Sequence, residues 1–235
     1  MRKFILASII SFLASTTIVS AAEKEKEIKN YDFSFDGAFG RYDEQQLRRG
    51  LEIYTQVCSA CHGMKYVSFR NLEDLGYSEQ EIIDYAKNYQ VYDSSLEDFR
   101  DAGKNDYFPK SMLLEAPDLS LMAKARKNGE DYIASLLTSY TGEEKESAGY
   151  VLYENKAYGG YINMAQPLYG EDVVFEDGST ADLESQAQDV AAFLTWSAEP
   201  KLNVRKKYGA TIIFVLTLLT VLLFLNKKQI WHKKD

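Results

Sequence analysis

The residues equipped for chemistry are few and gathered in one place. The 235-residue chain holds two Cys and two His. Three of these four stand together as Cys58-Ser59-Ala60-Cys61-His62. Cys-x-x-Cys-His is the attachment signature of c-type haem. Two thiols two residues apart on one turn reach the two vinyl groups of one porphyrin, and the next residue presents its imidazole to the iron from the same side. Spacing leaves three other readings open: a thioredoxin-like redox couple, which needs a βαβ setting; a plain disulfide in an oxidising compartment; and a zinc site completed by carboxylates. None of the three accounts for the His directly after the second Cys.

If iron is held here, histidine arithmetic limits its ligands. The other His is His232, at the far end of the chain, so a second imidazole from the same domain is excluded. Methionine is the usual alternative in a low-spin electron-transfer haem. Met64 is two residues from His62 and cannot reach the opposite face. Met122 lies in an expected helix, where core packing is the better reading. Met112, near Pro109, stays open. Met164 lies in an irregular stretch between Gly159-Gly160 and Pro167, where a loop can deliver sulfur without breaking a helix, and spacing favours it.

Helices must position these groups. Asp43 is a suitable N-cap for a helix over 43–57, with Leu47, Leu51, Tyr54 and Val57 on one face; it runs straight into the Cys motif. A second helix is expected over 182–197, capped by Asp182 and stopped by Pro200. Gly50 would let the two cross closely. Shorter helices are expected over 78–88, 94–101, 118–127 and 130–139, and 141–181 reads as loop. The expected fold is therefore all-α, a class I cytochrome c-like domain with insertions, plus one C-terminal transmembrane helix.

Both ends carry membrane signals. Arg2-Lys3, an apolar run from Phe4 to Val19 and the small Ser20-Ala21-Ala22 have the layout of a secretory signal peptide over 1–22, cut after Ala21 or Ala22. Residues 209–225 form an uncharged apolar run that spans roughly 25 Å as a helix, enough to cross a bilayer. Lysines and aromatic residues flank it as interface anchors. This division gives an exported domain over 23–208, a span over 209–225 and a cytoplasmic tail over 226–235. Positive charges balance on the two sides of the span, so the export signal sets the topology.

The net charge of −8 hides a sharp division. Residues 22–200 hold 34 acidic and 17 basic side chains, a charge of −17. That field disfavours nucleic acid as a partner; it suits a cationic protein, with acidity for solubility alone an equal reading.

Taken together the residues resemble the cytochrome c1 family, the haem subunits of quinol–cytochrome c reductases. Arg48-Arg49-Gly50 through Cys58–Met64 to Phe69-Arg70-Asn71-Leu72 is similar to the family's haem-binding block. Pro117-Asp118-Leu119-Ser120-Leu121, Ala125-Arg126 and Gly129-Glu130-Asp131-Tyr132-Ile133 resemble its second block. Ile162-Asn163-Met164 with Pro167-Leu168 is similar to its Met loop, and Gln188-Asp189-Val190 through Trp196, Glu199-Pro200 and Arg205-Lys206-Lys207 to its junction with the anchor. The chain departs from the family pattern in a shortened stretch at 110–115, in Ala116-Pro117 where two prolines are usual, and in a compressed Met loop at 153–163. The resemblance implies one covalent haem c on Cys58 and Cys61, iron held by His62 and Met164, and a haem propionate bonded by Arg126 with Tyr132 nearby. It implies an electron-transfer role with no bond-making catalysis: electrons taken from a Rieske iron–sulfur protein and passed to a basic cytochrome c. Cytochrome b and the Rieske subunit are the implied partners, in a dimeric complex in the bacterial inner membrane with the main domain in the periplasm. Two rivals from other classes are a membrane-anchored cytochrome c acting as carrier or oxidase subunit, and a haem-free thiol–disulfide oxidoreductase.

Overall fold

The computed structural model describes residues 26–232. The expected signal segment, 1–22, lies outside the described residues. Helix α1, Glu44–Gln56, begins where Asp43 accepts the amides of Gln45 and Gln46 at 2.8 and 3.1 Å. It ends one residue before the Cys motif, which forms a 3-10 turn over Cys58–Ala60. A second 3-10 segment, Phe69–Leu75, leads to helix α2, Glu79–Ala86, opened by a reciprocal Ser78–Glu81 cap. Strands β1 (Gln90–Asp93) and β2 (Asp98–Asp101) pair as an antiparallel hairpin. A short helix α3 (Met122–Ala125) and helix α4 (Gly129–Thr138) follow. Strands β3 (Tyr140–Ser147), β4 (Tyr150–Asn155) and β5 (Gly160–Ile162) make an antiparallel three-stranded meander. Helix α5, Leu183–Ala198, closes the domain, capped as Asp182 accepts the Ser185 amide at 2.8 Å.

The two sheets overturn the all-α expectation. The segment expected to be helical over 94–101 turns back on itself instead. Asp93 accepts both the amide and the hydroxyl of Ser95, and Glu97 takes a positive φ of 54°. Those bonds satisfy locally what a helix would have satisfied along its axis. The 141–181 stretch contains β3 to β5. Ser147 pairs with Tyr150 across a two-residue turn, Ala148-Gly149, whose φ values are 51° and 84°. This is the doubly left-handed geometry that matches strand twist. Because Glu143 to Ser147 are exposed, β3 carries no alternation of apolar and polar residues to announce it. The helix expected over 118–127 is limited to Met122–Ala125, since Asp118 spends one carboxylate oxygen on the Ser120 amide at 3.0 Å.

The core lies where α1 and α4 pack on α5. Leu47, Leu51, Ile53 and Tyr54 of α1 and Val190, Phe193, Leu194 and Trp196 of α5 are buried in one core cluster. Gly50 makes the crossing close. A Cβ placed there would stand 2.2 Å from the Asp189 carbonyl oxygen and 2.5 Å from the Phe193 Cβ. Beside that contact Arg49 grips Asp189 with two hydrogen bonds, of 2.6 and 3.0 Å. Aromatic rings extend the core: Tyr54 meets Phe193 and Phe108, and Phe108 lies 4.5 Å from Phe69, centroid to centroid.

Helix α6, Leu202–Trp231, continues from the domain. Among the described residues it is the one helix long and apolar enough to cross a membrane, and none of its apolar stretch is buried in the domain. Its first turns are fastened. Asn203 accepts the Tyr42 amide at 3.0 Å, and Lys206 donates to the carbonyls of Phe35 and Gly37. Glu199 receives Arg205 at 2.6 Å and Lys124 at 2.8 Å.

Candidate functional site

The Cys motif is one compact turn. The amides of Cys61 and His62 both donate to the Cys58 carbonyl, at 3.1 and 2.9 Å. Tyr54, one helical turn upstream, donates its hydroxyl to the His62 carbonyl at 3.0 Å. Both thiols are free and partly buried. Burial, with Cys61 adding to it, pushes the Cys58 thiol up to about 12. A thiol exchanger needs the opposite, a thiolate stabilised near neutrality. The motif also follows a helix and precedes a 3-10 segment, not a βαβ unit.

A strap runs beside the turn. The His62 ring nitrogen Nδ1 lies 2.7 Å from the Pro117 carbonyl oxygen. A carbonyl only accepts, so Nδ1 carries the proton and Nε2 is the nitrogen left for a metal. Gly63 is pressed against the chain at 109–111: a Cβ there would stand 2.3 Å from the Pro109 oxygen and the Ser111 nitrogen. Met64 donates its amide to Pro109, and Leu119 returns its amide to Gly63. The imidazole thus has a fixed tautomer and a fixed aim.

The methionines separate by environment. Met64 is wholly buried in the core, and Met122 packs against the core. Met112 is 79% exposed. Met164 is partly buried, two residues beyond β5, where Tyr140 at the start of β3 donates its hydroxyl to the Met164 carbonyl at 3.0 Å. The meander missed in the sequence is the element that presents this loop.

Arg126 follows α3, and Tyr132 lies in the second turn of α4. Arg126 is exposed and Tyr132 buried. Burial raises the Tyr132 phenol, and the neighbouring Arg126 guanidinium opposes that rise through its charge and a hydrogen bond. The two residues are therefore brought together.

The donor set fits a c-type haem. It provides two unpaired thiols on one turn and an imidazole with Nε2 free of its orienting bond; Met164 and Arg126 stand on separate segments, held beside Tyr140 and Tyr132. Among the described residues, no group of three or more His, Cys, Asp and Glu stands together to hold a metal ion. The zinc reading therefore lacks ligands there. Four contributors had no signature in the sequence: the Pro117 carbonyl, the Ser111 hydroxyl, Tyr54 and Tyr140. A backbone acceptor is silent in residue types, and a single tyrosine among seventeen does not stand out.

Residues 33–234 match the model of the Cytochrome C1 family. Cytochrome c1 of Cereibacter sphaeroides is 38% identical over 247 aligned residues, covering 87% of this chain and 87% of that protein. Cytochrome c1 of Rhodobacter capsulatus is 34% identical, covering 98% of this chain and 97% of its own. Cytochrome b/c1 of Bradyrhizobium diazoefficiens is 32% identical over 94% of this chain, which covers 38% of that longer protein.

Proposed function

Because the chain belongs to the cytochrome c1 family, we propose that it is the haem-bearing electron-transfer subunit of a quinol–cytochrome c reductase, holding one covalent haem c and anchored by α6. The observation that carries this reading is the Cys58–His62 turn with its imidazole oriented by Pro117. Cys58 and Cys61 would form the two thioethers, and His62 Nε2 and the Met164 sulfur the axial bonds. Haem, once bound, supplies a reversible one-electron centre.

The chain's own residues would keep that centre fixed. Pro117 holds the His62 proton on Nδ1. Tyr140 and β5 hold the Met164 loop. With His62 and Met164 holding it, that one-electron centre would have its potential raised by the Met ligand. No side chain is required to make or break a covalent bond in turnover. Arg126, paired with Tyr132, would face a propionate, and its charge would favour the reduced state.

Electrons would arrive from a Rieske iron–sulfur protein and leave to a basic cytochrome c, drawn in by the −17 field of residues 22–200. Cytochrome b is the membrane partner; the relative whose name joins b and c1 in one chain supports that assignment. The complex is proposed to be dimeric and to sit in the bacterial inner membrane. The signal at 1–22 would place 23–208 in the periplasm, 209–225 across the bilayer and 226–235 in the cytoplasm. A denaturing gel stained for haem peroxidase activity tests the cofactor: a stained band at the mature mass is expected, and an unstained one sinks the proposal. Stable co-purification with cytochrome b is expected as well. Its absence would favour a membrane-anchored carrier or oxidase subunit.

A further inference from the structure

The strap over 111–118 does more than orient His62. On the His side it is secured at several points: the Gly63 amide to Ser111 Oγ at 3.0 Å, the Lys65 amide to Asp118 Oδ2 at 3.0 Å, and His62 to Pro117. On the opposite side, among the described residues, its side-chain hydrogen bonds are those of Glu115. Glu115 Oε2 accepts the Asn163 side-chain amide at 2.8 Å, and Oε1 accepts the Tyr150 hydroxyl at 3.3 Å. Asn163 is the residue before Met164. The apolar residues between these attachments do not anchor the strap by burial, since Met112, Leu113 and Leu114 are all exposed.

We propose that Glu115 is a positioning residue for the sulfur-bearing loop, joining the Met164 side of the haem site to the His62 side through a single strap. The proposal rests on Met164 being the axial ligand. A loop restrained at the neighbouring residue keeps its sulfur near the iron, so rebinding competes better with any external ligand. The shortened stretch at 110–115, a departure from the family pattern, ends at this carboxylate.

The test uses the haem-loaded protein in its membrane complex and reads displacement of the sulfur by added imidazole. Ferric haem is titrated in the parent protein, Glu115→Ala, Asn163→Ala and the double variant, with Met164→Leu as reference. A single surface hydrogen bond of this kind is worth about a two- to tenfold change in apparent imidazole affinity. Both single variants are expected to bind imidazole more tightly by that factor, and the double variant no more tightly than either. Met164→Leu should lose the sulfur-to-iron charge-transfer band. If that band is lost and Glu115→Ala titrates like the parent, the strap proposal is overturned while the axial assignment stands. If Glu115→Ala responds and the neutral Asn163→Ala does not, the carboxylate acts by charge alone and positioning is overturned. If Met164→Leu keeps the band, the axial assignment falls and takes this proposal with it.

Discussion

Replacing Gly50 by Ala sets two physical effects of opposite sign against each other. Gly50 lies inside α1, where Ala is favoured by about 1 kcal/mol on helix propensity. Propensity alone therefore predicts a more stable protein. The crossing with α5 predicts the reverse. The added methyl would meet the Asp189 carbonyl oxygen at 2.2 Å and the Phe193 Cβ at 2.5 Å. Neither is the yielding end of a flexible side chain. Restoring ordinary contact requires the helices to part by about 1 Å, and overpacking of this kind costs roughly 1–3 kcal/mol. A gap of that size also forfeits a quarter to a half of each facing dispersion contact, about 1–2 kcal/mol for a large buried ring such as Phe193. After the propensity gain the net loss is about 1–4 kcal/mol. For a chain of this size that lowers the melting temperature by roughly 2–16 °C. The assay is thermal unfolding of the haem-loaded protein followed in the Soret band and by far-ultraviolet circular dichroism. A variant melting at or above the parent temperature would refute the argument that close packing at Gly50 outweighs propensity.

Other outcomes follow from the same geometry. Arg49→Ala strands the Asp189 carboxylate, whose side chain is 5% exposed; allowing for the part-exposed arginine, the loss is about 1–3 kcal/mol by denaturant titration. Burial already raises the Asp189 pKa and Arg49 opposes it, so losing Arg49 raises it further. The destabilisation should then be full at pH above the raised value and shrink as acid protonates the folded carboxylate; a loss independent of pH would show that Asp189 does not carry it. Arg126→Gln should lower the haem potential in a redox titration, because a positive charge that favours the reduced state is removed; an unchanged potential would leave Arg126 as a solvated surface charge. Electron transfer to a basic cytochrome c should slow as ionic strength rises, whereas a flat response would mean that the acidity does not guide docking.

What the sequence made legible depended on where each signal resides. Asp43 and Asp182 are side-chain caps before amphipathic runs, and α1 and α5 begin where those residues place them. Gly50 is a lone small residue on the apolar face of α1, and the close crossing is there. The meander was hidden because Glu143, Glu144 and Glu146 leave β3 without an apolar face, and because Ala148-Gly149 is a less telling turn than Asn-Gly. The β1–β2 hairpin stands where a helix is expected over 94–101, because Asp93 and Ser95 bond locally and Glu97 takes a positive φ. At the site, the motif residues could be named from their types. Their orienting partners could not, since the Pro117 oxygen belongs to the backbone and Glu115 meets Asn163 from 48 residues away.

The join between the domain and α6 also has a mechanical consequence. With Lys206 bonded to Phe35 and Gly37, Asn203 to Tyr42 and Glu199 to Lys124 and Arg205, no slack segment separates the helix from the body that carries Cys58 and His62. Helix and domain form a lever with no elbow. A 30-residue helix is about 45 Å long, so a tilt of roughly 10° displaces one end by about 8 Å relative to the other. Helices adjust their tilt to the thickness of the bilayer around them. The lipid that surrounds α6 would therefore set the attitude of the whole domain above the membrane, and with it the direction the His62 turn faces.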